Sequence, residues 1–236
     1  MLFRSPEKTQ QMKPYAIRFI QDTMQAPEPE AERVRLANKF LETFEAGQGF
    51  SNITAARKAA ADVLGRPVNP GTPDAKLVDE AVELAGVMYA RKVLEGDGYV
   101  EEDYKTLQKF QQDQMPLLNV RDSTSIRNQA YSTPLPLALA AIDLAQIFEL
   151  GGSVLEPTAG QGALLIASGP KSALVNEINP DRVAALEAQG FKVASQNAAT
   201  VKFPPKSVDV VLANHPYGQT GETYTVDGYK IGRAHV

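Results

Sequence analysis

Ser153-Val154-Leu155-Glu156-Pro157-Thr158-Ala159-Gly160-Gln161-Gly162 is the stretch on which the fold turns. A short apolar strand, Ser153–Leu155, runs into a turn containing two glycines, and Gly162–Ala167 then reads as the start of a helix. The alternation repeats downstream. Ala173–Asn176 reads as a strand, Asp181–Gln189 as a helix, and Phe191–Val193 and Val208–Ala213 as further strands. Successive βαβ units predict an α/β domain with a parallel, doubly wound sheet. In such sheets ligands bind outside the carboxyl ends of the strands, where the strand order reverses. The residues that follow each strand are therefore the candidates for function.

After the first strand, Gly160 and Gly162 let backbone approach a ligand, and Glu156 can accept hydrogen bonds from a bound amino group. A Gly-x-Gly turn also closes strands that bind nothing. Glu177 follows the second strand, 21 residues beyond Glu156. A carboxylate at that spacing can take the two ribose hydroxyls of a nucleotide-like ligand. Gln196-Asn197 follows the third strand, where a side-chain carbonyl could accept from an adenine amino group or, equally, shape a turn. The run Val208–Ala213 ends in Asn214-His215-Pro216-Tyr217. There a side-chain amide, a backbone carbonyl and an aromatic face could hold a planar base by its exocyclic amino group, although a tyrosine at a strand end can also serve as core or cap. Upstream, Gln129-Ala130-Tyr131-Ser132-Thr133-Pro134 precedes an apolar helix, Leu135–Phe148. Hydroxyls and free amides at a helix amino terminus can bind a carboxylate, or act as an ordinary cap.

The rest of the chain bounds these readings. Among 236 residues, 43% hydrophobic, there is no cysteine and there are two histidines, His215 and His235, so neither a disulfide framework nor a thiolate or histidine-rich metal site is expected. No apolar run approaches the ~20 residues of a membrane helix, and the amino terminus lacks the apolar segment of a signal peptide, so the expected location is cytoplasmic. Net charge is -4, with 15 basic against 18 acidic residues through position 120 and 9 against 10 beyond it. Neither half is a strong attractor of phosphate backbone. Residues 1–115 read as helical. Glu30–Ala46 carries Val34, Leu36, Phe40, Leu41 and Phe44 near helical spacing and stops at Gly47-Gln48-Gly49. Ser51 is the expected N-cap of Ile53–Leu64, with Gly65 after it, and Thr72-Pro73-Asp74 starts a long helix that ends at Gly96-Asp97-Gly98. A further helix is expected over Glu101–Gln112. The connector Arg66–Pro73 is too long, and the flanking faces too acidic, for a helix-turn-helix.

Taken together, the segments resemble the S-adenosylmethionine-dependent amino-methyltransferases, in particular the DNA adenine N6-methyltransferases. Four pieces match in order over roughly residues 122–218. Gln129–Pro134, with Tyr131, Ser132, Thr133 and Pro134, resembles the amino-terminal cofactor motif, and Leu155–Gly162 the glycine-rich loop. Glu177 resembles the ribose-binding acid, and Asn214–Tyr217 the Asn-Pro-Pro-Tyr catalytic motif. The order is that of the gamma arrangement. Ala130-Tyr131-Ser132-Thr133-Pro134 before a Leu/Ala-rich helix is also similar to methyltransferase-like regions ahead of strawberry-notch-type helicases in large phage and plasmid proteins.

The resemblance implies a Rossmann-like sheet over residues 116–230 and S-adenosylmethionine as cofactor, bound by Tyr131, Ser132, Thr133, Pro134, Glu156, Pro157, Gly160, Gly162, Glu177 and Asn197. It implies DNA as substrate and direct methyl transfer to the N6 amino group of adenine. Asn214 and the His215 carbonyl would accept from that group, Pro216 would restrict His215 to extended backbone, and Tyr217 would stack on the base. The chain departs from the family at His215, where the family has proline, and at Asn197, where an acid is usual; histidine as a general base is the other reading of His215. Two alternatives stay open: a protein-glutamine or RNA amino-methyltransferase, and a non-catalytic cofactor-binding module of an anti-restriction or helicase-linked protein. Ile231–Val236 reads like the translation of a sequencing adapter. The expectation is therefore a carboxyl-terminally truncated methyltransferase domain, poorly active alone, with its remaining strands and a target-recognition or helicase partner sequence downstream. Val208–Ala213 would then be an open apolar edge.

Overall fold

The computed structural model describes residues 32–95, 100–116, 132–150 and 152–215, together with the backbone of 224–226 and 229–231. Four helices make up the amino-terminal region: α1 (Glu32–Glu45), α2 (Ile53–Leu64), α3 (Pro73–Leu94) and α4 (Val100–Asp113). Thr72 caps α3 as the sequence suggests, with Pro73 in its first turn and Asp74 beside the positive end of its dipole. The cap of α2 is Asn52 and not Ser51. Asn52 is extended and its Oδ1 accepts the Ala55 amide at 3.0 Å, a reach that suits the longer side chain, while the Ser51 hydroxyl oxygen accepts from Asn52 Nδ2. Gly65 closes α2 at φ 66°, in the left-handed region that favours glycine.

Helix α3 is the axis of the region. α1, α2 and α4 all pack against it, so it is buried nearly all round instead of along one stripe. The rings of Phe40, Phe44, Phe50 and Phe110 meet edge to face, and Tyr89 stacks on Phe110 at 4.1 Å. Asp79 of α3, its carboxyl pushed upward by burial, is held by a bidentate Arg57 from α2 at 2.8 and 2.9 Å.

Helix α5 (Leu135–Leu144) follows and is shorter than the expected Leu135–Phe148. Gln146 adopts φ 55° and separates it from α6 (Ile147–Leu150). The sheet unit comprises β1 (Val154–Glu156), β2 (Ala173–Asn176), α7 (Pro180–Ala188), β3 (Val193–Ala194) and β4 (Val210–Val211). All four strands are parallel, in the order β3-β2-β1-β4. This is the expected α/β layout, and its order is that of one half of a doubly wound sheet, with the reversal between β1 and β4. Two strands outside it, β5 (Tyr224–Val226) and β6 (Tyr229–Ile231), form an antiparallel pair, so Ile231, assigned to the terminal tail by the sequence, pairs with Tyr224.

Two differences from expectation have causes in the packing. The crossover after β1 is one 3-10 turn, Ala163–Leu165, and not a longer helix. Few residues separate Gly162 from Gly169-Pro170, and Arg91 of α3 donates to the carbonyls of Leu165 and Ser168, ending the turn where another would have begun. The third and fourth strands are also shorter than predicted. Phe191 is still engaged in the turn that closes α7, through its amide to Leu186, and lies under the Arg91 guanidinium at 4.8 Å. β4 pairs on one side, with β1, among the described residues, and Val211 is 58% exposed.

One hydrophobic core runs through both regions. It joins Phe40, Leu84 and Phe110 to Leu139 and Ile142 of α5 and to Val154, Leu165 and Leu186 of the sheet unit. No helix among the described residues is long and apolar enough to cross a membrane.

Candidate functional site

At the carboxyl end of β1, Glu156 is 1% exposed, and its Oε1 accepts the Thr158 amide at 3.0 Å. Burial pushes this carboxyl up to about 7, against the Thr158 bonds, and the neighbouring Glu177 adds to the rise. Glu177 follows β2 and is also buried. Its Oε2 accepts the Gly160 amide at 2.8 Å and its Oε1 the Asn179 amide at 2.8 Å, so one carboxylate ties the glycine loop to the start of α7. Gly160 and Gly162 take φ 57° and 92°. A Cβ on Gly162 would stand 3.1 Å from Leu186 of α7, whereas one on Gly160 would meet nothing closer than Arg182 Nη1 at 3.9 Å. Gly162 therefore serves loop–helix packing, and Gly160 leaves its surroundings open. Pro157 contributes its carbonyl, which accepts Asn176 Nδ2 at 2.9 Å.

Asn176 is a site residue that the sequence motifs do not flag. It is buried at the end of β2, donates to the carbonyls of Pro157 and Gln196, and accepts the Gln196 amide at 3.0 Å. One side chain thus binds the loops after β1 and β3 to each other. The signal was a polar residue closing the otherwise apolar run Ala173–Val175. Asn176→Ala strands two carbonyls and an amide, and is expected to lower stability by about 3 kcal/mol, read from the denaturant midpoint at unchanged slope. A loss below about 1 kcal/mol would show that water replaces these bonds.

Asn197 is exposed and behaves as a turn residue: its Oδ1 accepts the Ala199 amide at 3.0 Å and its carbonyl accepts the amides of Thr200 and Val201. That side-chain oxygen serves the turn with one lone pair, which leaves its second lone pair and Nδ2 for any ligand.

The upstream motif meets the hook at the end of β4. The Leu212 amide donates to the Leu155 carbonyl at 3.0 Å, continuing the β1–β4 pairing, and the chain goes on to Asn214 and His215, both exposed. Asn214 Nδ2 donates to Thr133 Oγ1 at 3.1 Å, across 81 residues of sequence. The amide nitrogen is thereby engaged, and Asn214 Oδ1 is left to accept. Ser132 donates its hydroxyl to Glu83 of α3. Pro134 leads into α5 without a side-chain cap. The expected helix-terminal carboxylate site is correspondingly poor in amides: Pro134 and Pro136 have none, and that of Leu135 goes to Gln111 Oε1 at 3.0 Å. Tyr131, Pro216 and Tyr217, with Gln129 and Ala130, lie outside the described residues.

The glycine loop, Glu177 and the Thr133–Asn214 pair thus gather at the carboxyl ends of β1, β2 and β4, around the point where the strand order reverses. An open groove lined by Glu32, Arg33, Pro73, Asp74, Leu77 and Asp181 lies instead between the helical region and the start of α7, and includes none of the predicted site residues. Comparison with models of protein families, with curated proteins and with solved structures found no match to this chain.

Proposed function

We propose that the chain is an S-adenosylmethionine-dependent amino-methyltransferase whose acceptor is the N6 amino group of adenine in DNA. The observation that carries the reading is the Asn214–Thr133 hydrogen bond, which joins the amino-group hook to the segment that resembles a cofactor motif. The donor set fits such a ligand. Glu156 and Glu177 are two buried carboxylates close enough to influence each other, suited to a ligand with positive charge and ribose hydroxyls, and Gly160 leaves room beside them. Asn197 Oδ1 holds its turn with one lone pair and keeps the other for an adenine amino group of the donor.

The cofactor, when bound, supplies an electrophilic methyl group on a sulfonium. Glu177 would accept from the ribose hydroxyls while still holding the Gly160 amide, since each oxygen has a second lone pair. Glu156 would balance the cofactor's positive charge. Asn214 Oδ1 and the His215 carbonyl would accept the two hydrogens of the target amino group and direct its lone pair outward, so that rate comes from positioning rather than proton transfer. Pro216 supports this by disfavouring helical backbone at His215.

Calorimetric titration with S-adenosylmethionine tests the reading. Wild type is expected to bind, and Glu177→Ala to bind about tenfold more weakly or worse, with labelled methyl appearing in adenine-containing DNA. Absence of donor binding by wild type would sink the proposal; label in RNA or in protein glutamine instead would move the acceptor class.

A further inference from the structure

Glu83 sits in the middle of α3, within the helical region, and is buried. A buried glutamate in a helix interior is ordinarily paired with a cation, because desolvating an unpaired carboxylate is costly. Glu83 forms no such pair among the described residues. Its hydrogen bond goes to the hydroxyl of Ser132, next to Thr133, which in turn receives Asn214. The charged groups it faces are Arg33 of α1, Glu80 of its own helix and Arg182 of α7, and the last of these stands beside Gly160. Arg33 is itself taken by Glu80 and by Asp181 at 3.1 Å. One carboxyl from the helical region is thus aimed at the segment that faces the hook.

We infer that Glu83 is a positioning residue of the donor site: through Ser132 it holds the 132–134 segment, the stretch that resembles the cofactor motif and whose Thr133 meets Asn214, in place for the donor. The inference rests on the proposed methyl-donor reading. It gives the helical region a part in the site that the resemblance, confined to the second half of the chain, does not supply. Two other contacts hold that region against the sheet unit at the same junction. Arg33 reaches Asp181 in the first turn of α7, and Arg91 reaches the carbonyls of Leu165 and Ser168 beyond the glycine loop. The Glu83–Ser132 bond therefore acts from a fixed support.

The test is a double-mutant cycle read by calorimetric titration of S-adenosylmethionine, with melting curves recorded for each variant. Glu83→Ala and Ser132→Ala are each expected to weaken donor binding about tenfold, and the double variant no more than either alone, because both remove the same bond. Glu83→Gln keeps an acceptor for the Ser132 hydroxyl and is expected to bind within about twofold of wild type. A purely structural Glu83 would lower the melting temperature of Glu83→Ala without changing donor affinity in the folded protein, and that result overturns the inference. Multiplying effects in the double variant overturn it as well. Should Glu83→Ala fail to fold, Ser132→Ala, at an exposed position, still tests the inference: unchanged affinity there is a refutation. A wild type that binds no donor overturns the methyltransferase reading and this inference together, whereas a donor-binding wild type matched by Glu83→Ala removes only the inference.

Discussion

On the proposed methyltransferase reading, Asn214→Ala is expected to reduce methyl transfer about 100-fold or more relative to wild type, with donor affinity changed by less than about threefold. The asymmetry follows from the role that the proposed reading gives this side chain. Its Nδ2 is engaged by Thr133, which fixes the amide plane, and its Oδ1 would be the acceptor for the target amino group. Removing it would, on that reading, take away the acceptor that orients the nitrogen lone pair, while Glu156, Glu177 and the glycine loop keep their own bonds. Asn214→Asp separates orientation from charge: its carboxylate can still accept but cannot donate to Thr133, so an intermediate loss is expected. Single-turnover assays with the protein in excess give the necessary sensitivity. A rate for Asn214→Ala within about threefold of wild type would remove the hook from the mechanism.

The second large effect concerns stability and pH. Burial pushes both Glu83 and Glu156 up to about 7 from an ordinary 4.5. For an acid raised in the folded state, the folded protein holds more protons than the unfolded chain between these values, so stability is fully present below about pH 4.5 and is lost as pH rises toward and past 7. Each group corresponds to about 3 kcal/mol over that interval, enough for two of them to lower the melting temperature by on the order of 10 °C between pH 5 and pH 8. Asp79 and Glu187, also raised by burial, act in the same direction. Glu32, Asp74 and Glu101, held below their ordinary range by Arg66 and Lys105, act oppositely at lower pH, but they lie at the surface and contribute little. Maximum stability is therefore expected near pH 5. Glu83→Gln and Glu156→Gln should each flatten the fall above it, and a melting temperature that is level or rises from pH 5 to 8 would contradict the burial of these carboxyls.

The same two carboxyls mark how far the sequence could be read. Glu156 was legible because it follows a strand and precedes a glycine turn, a pattern confined to a few consecutive residues. Glu83 was not, because in sequence it is one acid on a long helix, and nothing local separates an acid aimed at Ser132 from one aimed at water. Asn176 is marked in the sequence only as a polar residue closing an apolar run; its three bonds run to loops on either side of it, and nothing local reveals those partners. Where the expected elements were too long, the cause was again remote. Arg91 of α3 ends the turn after β1, and β4 is limited to the residues that β1 can pair.

By itself the sequence determined the alternation of strands and helices, the helical first half, and the places after each strand where chemistry could sit. These depend on periodicity, glycine and proline, which act over a few residues. Only the tertiary structure decided the strand order that puts β1 beside β4, the meeting of Thr133 with Asn214, and the arrival of Glu83 at Ser132. Those contacts join residues tens of positions apart, and they exist because one hydrophobic core packs α3 and α5 against the sheet unit and carries their polar side chains with them.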